Sequence, residues 1–130
     1  MTTPRFLHYP ASSHEGEMGA GAHTDYGNLT LLATDDVGGL EVRARSGAWI
    51  AAPPTPGAFI VNIGDCLMRR TNDVYVSTPR RVVNRSGRER FSIAFFFDAD
   101  PEALVECAPR YAPVLARDYL KMRLDASVPK

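Results

Sequence analysis

The chemistry legible in this sequence begins at His23 and Asp25, an imidazole and a carboxylate separated by one residue. They open the stretch His23-Thr24-Asp25-Tyr26-Gly27-Asn28-Leu29-Thr30-Leu31-Leu32, which leads into an apolar run. Successive side chains of a strand point to opposite faces, so residues two apart share one. If the stretch is extended, His23 and Asp25 project from a single surface. Such a pair supplies two of the three ligands of a non-haem iron site, where two histidines and a carboxylate leave positions open for substrate and dioxygen. The competing structural reading is a strand-end histidine and a turn aspartate, each bonded to backbone.

The rest of the composition narrows the classes. A length of 130 residues gives one domain with a moderate core. Fifteen basic and 15 acidic residues cancel, which argues against nucleic acid or an anionic membrane surface as a partner. No run approaches the ~18 apolar residues of a transmembrane helix, and the N-terminus lacks a basic-then-apolar signal pattern. Cys66 and Cys107 stand far apart without CxxC spacing, so two free thiols in a reducing cytoplasm are expected rather than a disulfide.

The elements that would position the pair follow from period and punctuation. Phe6-Leu7-His8-Tyr9 reads as a strand ended by Pro10, and Ala11 to Gly21 reads as a loop. The strand near His23 is expected to run on through Leu29 to Leu32. Asp35 to Gly39 is a turn, and Leu40 to Ala44 alternates as a half-buried strand does. After Trp49-Ile50 and the prolines 53, 54 and 56 comes the strand Ala58 to Ile63, ended by Gly64-Asp65. Leu67 to Val76 fits helix or strand equally. Arg81-Val82-Val83 is a short strand, Asn84 to Gly87 a turn, and Phe91 to Phe97 the strongest strand of the chain. Trp49 and the run Phe95 to Phe97 are expected in the core. Asp100-Pro101-Glu102 carries the N-cap and first-turn proline of one short turn. Apolar residues recurring from Tyr111 through Leu115 and Tyr119 to Met122 predict an amphipathic C-terminal helix. Six or seven short strands with turns between them predict an antiparallel sandwich or barrel.

From His8 to about Asp98 the sequence resembles the C-terminal catalytic domain of the iron(II)- and 2-oxoglutarate-dependent oxygenases, in their isopenicillin N synthase-like branch. The matching blocks are His8-Tyr9-Pro10, His23-Thr24-Asp25-Tyr26-Gly27, Gly38-Gly39-Leu40-Glu41-Val42, Asn62-Ile63-Gly64-Asp65, Ser77-Thr78-Pro79, Arg81-Val82-Val83-Asn84 and Arg90-Phe91-Ser92-Ile93-Ala94. The resemblance implies a mainly β fold, a double-stranded β-helix or jelly roll. It would be incomplete at the N-terminus and carry a C-terminal amphipathic helix, with residues 1–105 as the jelly-roll domain and 106–130 as a helical tail. It also implies Fe(II) as cofactor, 2-oxoglutarate as co-substrate and oxidation of a small organic substrate with release of succinate and CO2. His23 and Asp25 match the proximal metal ligands. Arg90 and Ser92 match the pair that grips the distal carboxylate of 2-oxoglutarate, and Tyr9 matches a tyrosine that also donates to it. The chemistry agrees, since a guanidinium presents a two-pronged permanent charge to a carboxylate and a hydroxyl adds a third hydrogen bond.

Two departures matter. Where the family reads Ser-Thr-Pro-His-Arg-Val, this chain has Ser77-Thr78-Pro79-Arg80-Arg81-Val82, so Arg80 stands at the third metal ligand. Arginine offers no lone pair to a metal. A positive charge about 4 Å from a dication also costs on the order of 8 kcal/mol at an effective dielectric of about 20. Neither His8 nor His14 is a replacement, because His8 alternates with Tyr9 and faces away. Metal binding is therefore expected to be weaker than an intact site's by more than the ~10–100-fold of outer-shell losses. The second departure is length: family enzymes are about twice as long, which implies a fragment or isolated domain with bare apolar surface that favours self-association. Three readings remain open: an impaired oxygenase, a non-catalytic dicarboxylate-binding domain in which Arg80 pairs with Asp25, and an inactive fragment.

Overall fold

The computed structural model describes residues 1–11, 16–107 and 109–127; His14 lies outside them. The elements in chain order are β1 (Thr2–Tyr9), β2 (Glu17–His23), β3 (Leu29–Thr34), β4 (Leu40–Arg43), β5 (Trp49–Ala51), β6 (Ile60–Ile63), α1 (Asp65–Arg70), β7 (Arg80–Asn84), β8 (Arg90–Phe97) and α2 (Ala116–Ser127). The strands form two four-stranded antiparallel sheets, ordered β1-β8-β3-β6 and β2-β7-β4-β5. This is the double-sheet jelly roll. Among the described residues, no helix is long and apolar enough to cross a membrane.

The core lies between the sheets because alternate residues of facing strands point inward. Leu32, Leu40, Val82 and Ala94 are its buried centre, with Leu7, Tyr9, Ile60 and Phe96 packed around them. A second cluster, Cys66, Val105, Ala116 and Tyr119, seats α2 and the segment before it beside α1. Gly39, at φ +90°, sits where the chain enters β4, and a Cβ there would stand 2.6 Å from the Val83 carbonyl oxygen. Only glycine fits that backbone and that approach.

Several expectations change. Glu17–His23 is a strand rather than a loop: its sequence does not alternate, but it pairs with β7 through two irregularities, leaving most of its residues exposed. That makes eight strands instead of six or seven. The extended run through His23 to Leu32 is broken, since β2 stops at His23 and β3 starts at Leu29. The ambiguous stretch resolves as α1, which starts earlier, at Asp65, and ends at Arg70. The C-terminal helix begins at Ala116; Leu115 and Tyr111 precede it in isolated bridges to Leu104 and Cys107.

The aromatic run of β8 is not core throughout. Its inward positions are Arg90, Ser92 and Ala94, so Phe91 and Ile93 face out, 50% and 42% exposed. Phe6, opposite Ile93 on β1, is 78% exposed. Trp49 is half-buried, with the Arg81 guanidinium 4.3 Å from its ring centroid. The Asp100 turn forms as expected, its side chain accepting from the Glu102 N–H at 2.9 Å. Cys66 and Cys107 are both free thiols.

Candidate functional site

Pairing of β1 with β8 sets Tyr9 opposite Arg90 and Leu7 opposite Ser92, all on inward positions. Arg90 Nη1 donates to Ser92 Oγ at 3.3 Å, and its guanidinium carbon lies 5.0 Å from the Tyr9 ring centroid. Both Arg90 and Ser92 are buried, 3% and 4% exposed. Arg90 Nε is buried with no hydrogen-bond partner, and among the described residues no carboxylate forms an ion pair with this side chain. Arg90 and Tyr9 line a cavity of 620 Å³ together with Leu7, Met18, Gly39 and Val82. The three residues expected to hold a carboxylate are thus brought together, Arg90 and Tyr9 on a cavity wall and Ser92 hydrogen-bonded to Arg90, and among the described residues the buried Arg90 cation forms no ion pair.

The opposite end is built differently. Register places His23 of β2 opposite Arg80 of β7. β2 ends there, and Asp25 is carried on the connection to β3, ahead of the bend at residues 26–28. Asp25 is buried: one oxygen takes Arg80 Nη2 in an ion pair, and Oδ2 accepts the Thr30 hydroxyl at 2.6 Å. His23 is exposed, and its Nδ1 donates to the Gly21 carbonyl at 2.7 Å. A carbonyl can only accept, so the neutral ring keeps its lone pair on Nε2. β2 ends at His23 and Asp25 stands two residues on, in the connection, and the two side chains line one cavity.

Thr30 and the loop's outer anchors escape a reading of sequence alone. Thr30 alternates with Leu32 on the buried face of β3, and a polar residue at such a position is the signal that could find it. On the outer side, Thr24 donates to Asp65 Oδ2 at 2.9 Å, and Arg123 of α2 reaches the same oxygen at 2.7 Å. Arg123 also lies over the Tyr26 ring at 5.2 Å. The C-terminal helix therefore clamps the loop that carries Asp25. A second cavity, 410 Å³, opens beside His23, Asp25, Phe96 and Asp98. Burial pushes the Asp98 carboxyl above the usual carboxylate range, with the nearby Asp25 charge adding to the rise and the N-terminal amine opposing it.

The metal end does not fit an iron ion. The third position is a guanidinium, which cannot ligate, and it occupies the carboxylate that would have to bind. Among the described residues no group of three or more His, Cys, Asp or Glu side chains is placed to hold a metal. The carboxylate end, by contrast, has the donors, burial and charge that a dicarboxylate requires.

Comparison with known proteins agrees with the fold. The model of the 2OG-Fe(II) oxygenase superfamily matches residues 4–99, so the chain belongs to that superfamily. The 2-oxoglutarate-Fe(II) type oxidoreductase hxnY of Emericella nidulans is 42% identical over 135 aligned positions, covering 93% of this chain and 39% of that protein. A homoarginine-6-hydroxylase of Glycine max is 46% identical, covering 78% of this chain and 33% of its own length. Among solved structures, a full-length Neurospora crassa protein in complex with alpha-KG superposes with a TM-score of 0.90 at 36% identity, over 98% of this chain and 45% of that one. The chain spans less than half the length of each.

Proposed function

We propose that this chain is the catalytic jelly-roll portion of a 2-oxoglutarate-dependent oxygenase of a small organic substrate, with its oxidation chemistry impaired at residue 80. Arg90, Ser92 and Tyr9 hold the distal carboxylate of 2-oxoglutarate. His23 and Asp25 match the metal-side residues, but Arg80 fills the third place and occupies the Asp25 carboxylate, so the chemistry that iron would supply is impaired. The observation that carries the reading is the buried Arg90 guanidinium, whose hydrogen-bond partner among the described residues is a neutral hydroxyl and which lies on a 620 Å³ cavity. Leaving such a charge uncompensated is costly, and an entering carboxylate relieves it. Membership of the superfamily supports the identity of the ligand, as does the Neurospora crassa protein, whose structures hold alpha-KG and, in one case, thymine.

The residues shape and charge the pocket. Arg90 fixes the distal carboxylate, Ser92 orients the guanidinium, and Tyr9 caps one of its faces. Gly39 and Val82 wall the cavity from the other sheet. Residues 1–105 form this unit and 106–130 the helical tail. The free thiols of Cys66 and Cys107 suit a reducing cytoplasm. The bare outer face at Phe6, Phe91 and Ile93 supports self-association at high concentration.

Calorimetric titration of 2-oxoglutarate into the anaerobic, Fe(II)-supplemented chain and its Arg90→Ala variant tests the reading. Loss of a charge-assisted, two-pronged contact weakens binding about 10–100-fold or more. Equal affinity in both proteins would refute it.

A further inference from the structure

Two buried arginines of the sandwich share a condition. Arg90 on β8 has its Nε buried and unpartnered, and Arg80 on β7 has its Nη1 in the same state. The two strands belong to opposite sheets, so the unsatisfied donors face one interior from two sides. An unmet buried donor is destabilising, more so on a charged group, and native structures seldom leave one without a reason. Among the described residues six buried side-chain atoms lack a partner, three of them guanidinium nitrogens; Arg123 Nε belongs to α2, whereas Arg80 and Arg90, 6% and 3% exposed, are the two on strands of the sandwich.

Their charges are not equivalent. Asp25 neutralises Arg80, whereas nothing among the described residues neutralises Arg90. Among Arg80, Asp25 and Arg90 one positive charge is left over, with two unpartnered donors, which suits a short dianion whose ends differ; Glu17 and Arg85 also stand on the cavity wall. Strand geometry supplies the spacing. Val82, on the cavity wall beside Arg90, shares the inward face of β7 with Arg80, two residues or about 6.6 Å along the strand. Arg80 is not itself on the cavity lining; it lies one inward position beyond Val82, so a ligand anchored on Arg90 and extending past Val82 is directed toward it. Guanidinium is weakly hydrated and presents planar paired donors, so it can bind a carboxylate or 2-oxo acid group directly where a metal would have chelated it.

We propose that Arg80 replaces the metal as a fixed cation, so that the site binds a short dicarboxylate of the 2-oxo acid class between Arg90 and Arg80 without any metal ion. This rests on the reading of Arg90 as a carboxylate anchor and adds a role for Arg80. Asp25 then serves to hold the guanidinium in place rather than to bind metal, and Thr30 holds Asp25.

The test is titration of 2-oxoglutarate, and of glutarate, which lacks the keto group, into the whole chain in EDTA and again with anaerobic Fe(II). The same titrations follow with Arg80→His, Arg80→Lys and Arg90→Ala, each checked for folding by thermal melting. The expected result is wild-type affinity for 2-oxoglutarate that changes less than about threefold with Fe(II). Arg80→His should bind about 10–100-fold more weakly in EDTA and regain affinity with Fe(II). Arg80→Lys, which keeps the charge and the pairing with Asp25, covers the case in which the histidine variant fails to fold; it should lose part of the metal-free affinity. A wild-type affinity that rises about tenfold or more with Fe(II) would overturn the proposal, as would metal-free binding unaltered in both Arg80 variants. Binding lost in Arg90→Ala would still uphold the carboxylate anchor in that event. No dependence on Arg90 would overturn both readings together.

Discussion

Replacing Asp25 by Asn measures what the buried ion pair does for the fold. Asp25 and Arg80 are 7% and 6% exposed, so neither group is solvated in the folded chain. Asparagine keeps an acceptor for the Thr30 hydroxyl and nearly the same volume, so the change removes the charge and little else. It leaves the Arg80 guanidinium buried with no counter-charge, which costs about 3–5 kcal/mol. For a domain of this size, at about 3–5 °C per kcal/mol, the melting temperature should fall by roughly 10–20 °C. With total stability of about 5–15 kcal/mol, the variant stays folded at low temperature but close to its limit. Urea unfolding of wild type, Asp25→Asn, Arg80→Met and the double variant gives a thermodynamic cycle. Each single change should cost several kcal/mol, and the double should cost less than their sum by about 1–3 kcal/mol, because it leaves no orphaned charge. The coupling should persist at about 0.5 M salt, since buried pairs are weakly screened. Single costs below about 1 kcal/mol with an additive double would mean that the pair behaves as a solvated surface pair, and the burial argument would fail.

Other perturbations bear on separate parts of the molecule. Hydrogen bonds from Arg85 and Arg81 hold the Glu41 carboxyl below its ordinary value of 4.5. Its stabilisation is full above that value and is lost as pH falls through the lower folded-state value, so Glu41→Gln should flatten the acid limb of a urea midpoint–pH curve. Burial raises the Cys66 thiol, so a thiol reagent at pH about 8 should label the less buried Cys107 first and Cys66 only as the fold opens. A Cβ at Gly64 would collide with the Gly27 carbonyl oxygen, so Gly64→Ala should cost at least about 1–3 kcal/mol in thermal unfolding. Phe6→Lys with Ile93→Lys should abolish any concentration-dependent association in sedimentation velocity while leaving the melting temperature within a few degrees.

Strong local signals carry through to the structure. β8 and β3 are readable because their inward and outward positions alternate and turns bound them; the Asn84 side chain that accepts from the Ser86 and Gly87 N–H groups is such a turn. The Arg90–Ser92 juxtaposition follows from the same period. What the sequence conceals depends on distant partners. β2 has no alternation of its own and exists through its pairing with β7. Phe91, Phe95 and Phe97 look like core in isolation, yet among the described residues no layer covers the face they share, whereas Phe96 packs inward. β2 stops at His23, and the period of the sequence does not show that Thr24 and Asp25 find side-chain partners in Asp65, Thr30 and Arg80. The Arg80–Asp25 pairing is among the readings that sequence offers, but the unpartnered Nη1 becomes visible only with coordinates.

The pairing of β1 with β8 sets a schedule for synthesis. Tyr9 meets Arg90 and Thr2 meets Phe97, so β1 must wait for β8 before its backbone is satisfied. Some eighty residues separate Tyr9 from Arg90, about 4–16 s of translation at roughly 5–20 residues per second. During that interval Phe6 and Leu7 travel on an unpaired strand, beside β2 whose partner β7 is equally late. The ribosome-bound chain should therefore depend on holding chaperones until the exit tunnel releases residue 97, and slowing elongation should lower its soluble yield.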